Sequence, residues 1–171
     1  MNSDATGSKS ARTRRYILEQ AAGIFNRKGY AGTSISDLTS ATKLTKGSIY
    51  GNFLNKDELA LAAFVYNLHR ITDAFAGGMQ SASGAIDKLL VYPRTYRRIY
   101  SQINDLGGCP ILNTLVDADD THPALTRLAI SAIQKWKKSI IGIIDEGIQN
   151  GEISRSITPV MCAENMISLF E

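Results

Sequence analysis

Residues 33–59 read TSISDLTSATKLTKGSIYGNFLNKDEL, a run of short helical patterns separated by turn chemistry. Thr33-Ser34 offers an N-cap, and Ile35 and Leu38 supply the inner face of a helix that fades by Thr42. About three residues around Lys43-Leu44 separate it from the next helix, which opens at Thr45. That is the spacing of a helix-turn-helix, whose second helix enters the major groove of DNA.

The composition of TKGSIYGNF at 45–53 fits a helix built for contact. Glycine in a helix interior costs about 1 kcal/mol relative to alanine, yet this helix holds Gly47 and Gly51, four apart on one face. Without side chains they let backbone approach a phosphate closely. Ser48 and Asn52, also four apart, present groups suited to base edges or phosphate oxygens. Thr45 and Lys46 sit at the positive helix end, where N–H groups and an ammonium bind phosphate. Ile49 and Phe53 form the opposite face and pin the helix down, while Tyr50 packs its ring and extends its hydroxyl.

Working outward, Ile17, Ala21, Ile24 and Phe25 follow helical spacing and stop at Lys28-Gly29. Residues 1–11 are polar and small, and are expected to form a disordered tail. Downstream, Asn55 with Glu58 reads as a capping box that launches a helix ending near Gly77-Gly78. Another runs from about Ser83 to Asn104, with Pro93 as a kink or break, and a short one spans 110–118. The longest pattern, 124–149 after His122-Pro123, corresponds to roughly 39 Å of helix. Thr158-Pro159 starts the last helix, which reads as truncated. The expected fold class is all-α, with a helix-turn-helix DNA-binding unit over 12–54 and a helical body over 55–171.

Composition and charge agree. The chain of 171 residues is 44% hydrophobic and 20% charged, enough to bury a core. Residues 1–56 carry nine Lys/Arg against three Asp/Glu, whereas 57–171 carry ten against thirteen. A basic head on a mildly acidic body points to a polyanion partner, the alternative being a solubilising basic segment. There is no apolar signal segment, and apolar runs such as IIGII at 140–144 are too short to span a bilayer. A cytoplasmic location without membrane partner is expected, and the two cysteines suggest no disulfide framework. Nothing resembles a nucleophile–base constellation, a Gly-rich loop followed by Lys-Ser/Thr, or HExxH, so an enzyme is not expected.

Taken together, FNRKGY at 25–30, TSISDL at 33–38, TKGSIYGNF at 45–53 and NKDEL at 55–59 resemble the N-terminal domain of the TetR/AcrR family of bacterial transcriptional regulators. The resemblance implies three DNA-binding helices followed by a larger helical ligand-binding and dimerisation body. By position it makes Thr45, Lys46, Gly47, Ser48, Tyr50, Gly51 and Asn52 recognition-helix contacts, with Thr33 and Lys56 as flanking phosphate contacts. Members commonly carry an aromatic or polar residue followed by His where this chain has Gly51-Asn52, so its operator preference is its own. The implied function is a dimeric repressor released from a palindromic operator by a small-molecule effector. An activator, or a redox or electrophile sensor acting through Cys109 at a helix start, is the alternative.

In the body, Phe64, Leu68, Phe75, Leu89, Tyr92, Tyr96 and Tyr100 are candidate pocket walls, with ordinary core packing as the other reading. In GGCPILNTLVDADDTH at 107–122, Cys109 and Asn113 are further candidate ligand contacts. Trp136, Ile140, Ile144, Met166 and Phe170 are candidates for a dimer interface of two helices per subunit, or for plain internal core. Asp117, Asp119, Asp120 and His122 lack a second cluster of metal-type ligands, so no metal is expected. No cofactor is implied.

Overall fold

The computed structural model describes residues 8–170. Its helices are α1 (Lys9–Gly32), α2 (Ile35–Thr42), α3 (Lys46–Tyr50), α4 (Lys56–Ser81), α5 (Ala85–Asp105), α6 (Pro110–Ala118), α7 (Pro123–Gln149) and α8 (Pro159–Ser168). No strand occurs among the described residues, so the fold is all-α. Of the tail expected at 1–11, residues 1–7 lie outside the described residues. From Lys9 onward the chain is helical, because the Ser8 hydroxyl caps α1 by accepting from the Ala11 N–H at 3.2 Å.

Local chemistry sets the boundaries in the first third. Gly29 (φ 70°) breaks the α1 dihedrals at the predicted stop, and a further turn carries the chain to Gly32. Ser34 caps α2 with a full capping box, its hydroxyl accepting from Asp37 N–H while the Asp37 carboxylate accepts from Ser34 N–H. Lys43 turns the corner in the left-handed region at φ 57°. Thr45 caps α3 and Asn55 caps α4. At Asn55 only half of the expected box forms, since Glu58 accepts from the neighbouring Leu54 N–H at 2.5 Å.

Two glycine and proline signals read differently in three dimensions. Helix α4 passes through Gly77-Gly78 to Ser81. A Cβ at Gly78 would sit 2.8 Å from Val91 Cγ1, so this glycine lets α4 and α5 approach closely. Pro93 lies inside α5, exposed, and the helix continues through it to Asp105. The start of α5 follows Gly84, which brings no side-chain cap. Glu152, from the α7–α8 turn, supplies one by accepting from the Ala85 N–H at 2.7 Å.

Two apolar clusters hold the protein together. The first joins Ile17, Ala21 and Phe25 of α1 to Leu38, Ile49, Phe53, Leu59 and Ala63, and continues through Ile111 and Ala118 into Leu125 and Ala129 of α7. The second joins Tyr92, Ile140, Ile144, Ala163 and Ile167 of α5, α7 and α8. The three-helix head therefore shares one core with α6 and the start of α7. Among the described residues no helix is long and apolar enough to cross a membrane.

Candidate nucleic-acid interface and effector cavity

Helix α3, with its cap Thr45 and the turn at 51–53, divides its residues between burial and exposure. Ile49 and Phe53 are each 1% exposed, whereas Thr45, Lys46, Gly47 and Gly51 lie open and Ser48, Tyr50 and Asn52 are half-buried. A Cβ at Gly47 would meet nothing nearer than Thr45 Oγ1 at 3.9 Å, so the fold itself does not require glycine there. At Gly51 a Cβ would approach the Gly47 carbonyl at 3.3 Å, so that glycine also serves the tight end of the helix. The Asn52 amide donates to Ser48 O at 2.9 Å, which commits one of its hydrogens to the helix. Pairing with an adenine edge is left to its second hydrogen and its oxygen.

The end of α3 is clamped from α1. The Arg14 guanidinium donates to Asn52 O, pairs with Glu58 at 2.6 Å, and lies 3.9 Å above the Phe53 ring. Hydrogen bonds from Leu54 N–H and then from Arg14 hold the Glu58 carboxyl below the usual carboxylate range. One planar side chain thus joins α1, α3 and α4. Lys56, at the start of α4, is half-buried with its ammonium 4.2 Å over the Tyr30 ring.

Thr33 departs from expectation. It is 1% exposed and its hydroxyl donates to Gly29 O at 2.6 Å, so it closes the end of α1 and has no side-chain surface for phosphate. Ser34 is the exposed hydroxyl of that pair.

Behind the head, α6 is tied to α1 by polar contacts. Asn26 donates to the Leu106 and Gly108 carbonyls at 2.8 and 2.9 Å, and Asn113 donates to Asn26 O at 3.0 Å. The Asp117 carboxylate accepts from Tyr30 N–H at 2.6 Å, just past the Gly29 break, where any Cβ would overlap it. Tyr30 also donates to Asp57 and packs edge-on against His122 with ring centroids 4.4 Å apart. The bond to Asp57, reinforced by burial, pushes the Tyr30 phenol up to about 12. His122 Nδ1 caps α7 by accepting from Leu125 N–H at 3.2 Å.

A partly open cavity of about 380 Å³ lies between α4, α5, the start of α6, α7 and Phe170 just beyond α8. Leu68, Phe75, Tyr92, Tyr96 and Cys109 line it. Phe64 does not, being packed in the head-side core, and Asn113 does not, because its amide is spent on α1 and Gly107. Those two border a separate crevice of about 20 Å³. Leu89 packs, partly buried, against the second cluster and Tyr100 stands 58% exposed, so neither is a wall.

The residues expected at a dimer interface are redistributed. Ile140 and Ile144 are 0% exposed within the single chain and form its second core. Trp136 and Phe170, with centroids 6.0 Å apart, wall the cavity, and Met166 packs half-buried against the same cluster. The exposed apolar side chains of the α8 region are instead Val160, Met161 and Leu169. Sequence reasoning missed Arg14, Asp117 and the cavity residues Ile71, Met79 and Lys135, all placed by contacts distant along the chain.

Residues 17–63 match the tetR family of bacterial regulatory proteins, and residues 85–171 match the tetracyclin repressor-like C-terminal domain. A TetR-family transcriptional regulator from Cytophaga hutchinsonii superposes with a TM-score of 0.87 at 46% identity, over 97% of this chain and 83% of that one. A TetR transcriptional regulator from Chloroflexus aurantiacus J-10-FL gives 0.87 at 37% identity, over 95% and 82%. The HTH-type transcriptional repressor DhaR of Mycobacterium sp. (strain GP1) is 24% identical over 162 residues, 92% of this chain and 78% of that protein.

Proposed function

This chain belongs to the tetR family of bacterial transcriptional regulators, and from that premise we propose that it is a dimeric repressor released from a palindromic operator by a small-molecule effector. In this reading α3 lies in the major groove, with Thr45, Lys46, Gly47, Ser48, Tyr50, Gly51 and Asn52 toward DNA and Lys56 on a flanking phosphate. Two heads present their recognition helices to successive major grooves, about 34 Å apart. The effector occupies the cavity lined by Leu68, Tyr92, Tyr96, Trp136 and Phe170.

One observation carries the reading: the cavity and the head share α6. Its first residues, Pro110 and Ile111 beside Cys109, wall the cavity. One and two turns further on, Asn113 and Asp117 hold the end of α1. A ligand that favours a different seat for α6 therefore acts directly on the head's spacing. A coupling of about 1–3 kcal/mol is enough for useful regulation. Repression is preferred over activation because DhaR, matched over most of this chain, is a repressor.

The test is binding to palindromes from the DNA upstream of the chain's own coding region, with Lys46→Ala and Tyr50→Ala as variants. Both are expected to bind more weakly. Lys46→Ala should also flatten the dependence of log affinity on log salt by about 1 per head, because it removes one phosphate contact. If both variants bind like the parent at several salt concentrations, α3 is not the DNA-reading element.

A further inference from the structure

The cavity walls carry few polar groups, and most of those are already engaged with other protein groups. The Thr72 hydroxyl donates to His69 O at 3.2 Å, the Tyr96 hydroxyl donates to Phe170 O at 3.1 Å, and the Tyr92 hydroxyl is hydrogen-bonded to Ser139. Most of the remaining wall is aliphatic or aromatic, including Leu68, Ile71, Phe75, Met79 and Trp136. Such a surface gains from apolar area and has little to offer a polyhydroxylated guest. Lys135 of α7 stands apart. It is the one charged side chain among the described residues that line the cavity, it is exposed, and it makes no salt bridge or hydrogen bond among them. The nearest lysine along the helix, Lys137, is by contrast paired with Glu164 at 2.5 Å.

A cation at an apolar wall, with no carboxylate lining the same space, selects guests by charge. A cationic amphiphile meets repulsion, and a neutral one gains only the apolar term. An anionic one adds a charge-assisted hydrogen bond to the ammonium while its body stays in the apolar walls. We propose that the effector is an amphipathic anion, an apolar body of acyl-chain type ending in a single carboxylate or phosphate that pairs with Lys135. This rests on the reading of the cavity as the effector site. Because Lys135 is exposed, the head group remains at the rim, in contact with solvent, and the apolar part enters toward Pro110 and Ile111 of α6. The anion therefore orients the guest, and the buried end reaches the helix that holds the head.

Trp136, the only tryptophan in the chain, sits beside Lys135 in the wall and reports occupancy by its fluorescence. The experiment titrates the full chain with decanoate, decyl phosphate, decanol and decyltrimethylammonium, following Trp136 emission. Saturable changes are expected with both anions, about tenfold or more tighter than with decanol, and none with the cation. Which anion binds tighter separates a carboxylate from a phosphate head. Lys135→Met should bring the anions to the affinity of decanol, leave decanol itself unchanged, and leave the melting curve unaltered, since the side chain is exposed. If decanol binds as tightly as decanoate, or Lys135→Met has no effect on the anions, the charge assignment falls while the cavity reading stands. If none of the four perturbs Trp136 in a normally melting protein, both fall together.

Discussion

Arg14 shows how one side chain sets the geometry of a surface it does not itself form. Its guanidinium fork spans Asn52 O and Glu58, 38 and 44 residues further along the chain, and its plane covers Phe53. A lysine has the charge without the fork, so the clamp is specific to arginine. Arg14→Ala and Arg14→Lys are both expected to weaken operator binding about tenfold by loosening the end of α3. The salt dependence should stay parental, because Arg14 positions the helix and is not one of the proposed phosphate contacts. Anisotropy titrations at several salt concentrations, with circular dichroism to verify helix content, separate this from Lys46→Ala. The role of Arg14 is illegible in the sequence, because a contact made across dozens of residues leaves no local pattern. Thr33 is the converse: its sequence position suits a phosphate contact, and burial of its hydroxyl on Gly29 removes it.

At the scale of elements, the head is held by caps whose charges titrate. Asp37 is held well below the usual carboxylate range, first by the Lys28 ammonium and then by the N–H and hydroxyl of Ser34. Glu58 is lowered by Leu54 N–H and Arg14. Groups depressed on folding stabilise the native state above their unfolded values, near 4, and lose that contribution as pH falls through the folded values. Tyr30 has the opposite sign. Raised from 10.0 to about 12 by its bond to Asp57, it contributes fully below its unfolded value and loses that contribution as pH rises through the folded one. Melting curves are therefore expected to drop below about pH 4 and again between about pH 10 and 12. Asp37→Asn should melt lower at neutral pH with a shallower acid limb, and Tyr30→Phe should lose the alkaline limb. A parental acid limb in Asp37→Asn overturns the assignment to that cap. The N-caps at Ser34, Thr45 and Asn55 were readable because a cap involves residues three apart. Gly78 and the α5 start were not, because Val91 and Glu152 decide them from other helices.

For the whole molecule, the apolar stripes of α7 and α8 had to be shared between the protomer's core, the cavity and any partner. Ile140 and Ile144 went to the core, Trp136 and Phe170 to the cavity, and Val160, Met161 and Leu169 remain outside. Met161→Asp with Leu169→Asp is accordingly expected to shift a dimer to monomer in sedimentation with helix content kept. Ile144→Asp should unfold the chain, since an unpaired carboxylate is being buried. A doubly substituted protein that still sediments as a dimer moves the interface away from this face. The amino-acid sequence by itself determined the all-α class, most helix starts, the helix-turn-helix and the outward set on α3, since these follow from periodicity, caps and spacings within a few residues. Only the tertiary structure decided which apolar residues line the cavity, that Asn113 and Asp117 grip α1, and that no acid among the described residues pairs with Lys135. Those facts depend on which helix faces which, and a helical stripe looks the same whether a core, a ligand or a second chain covers it.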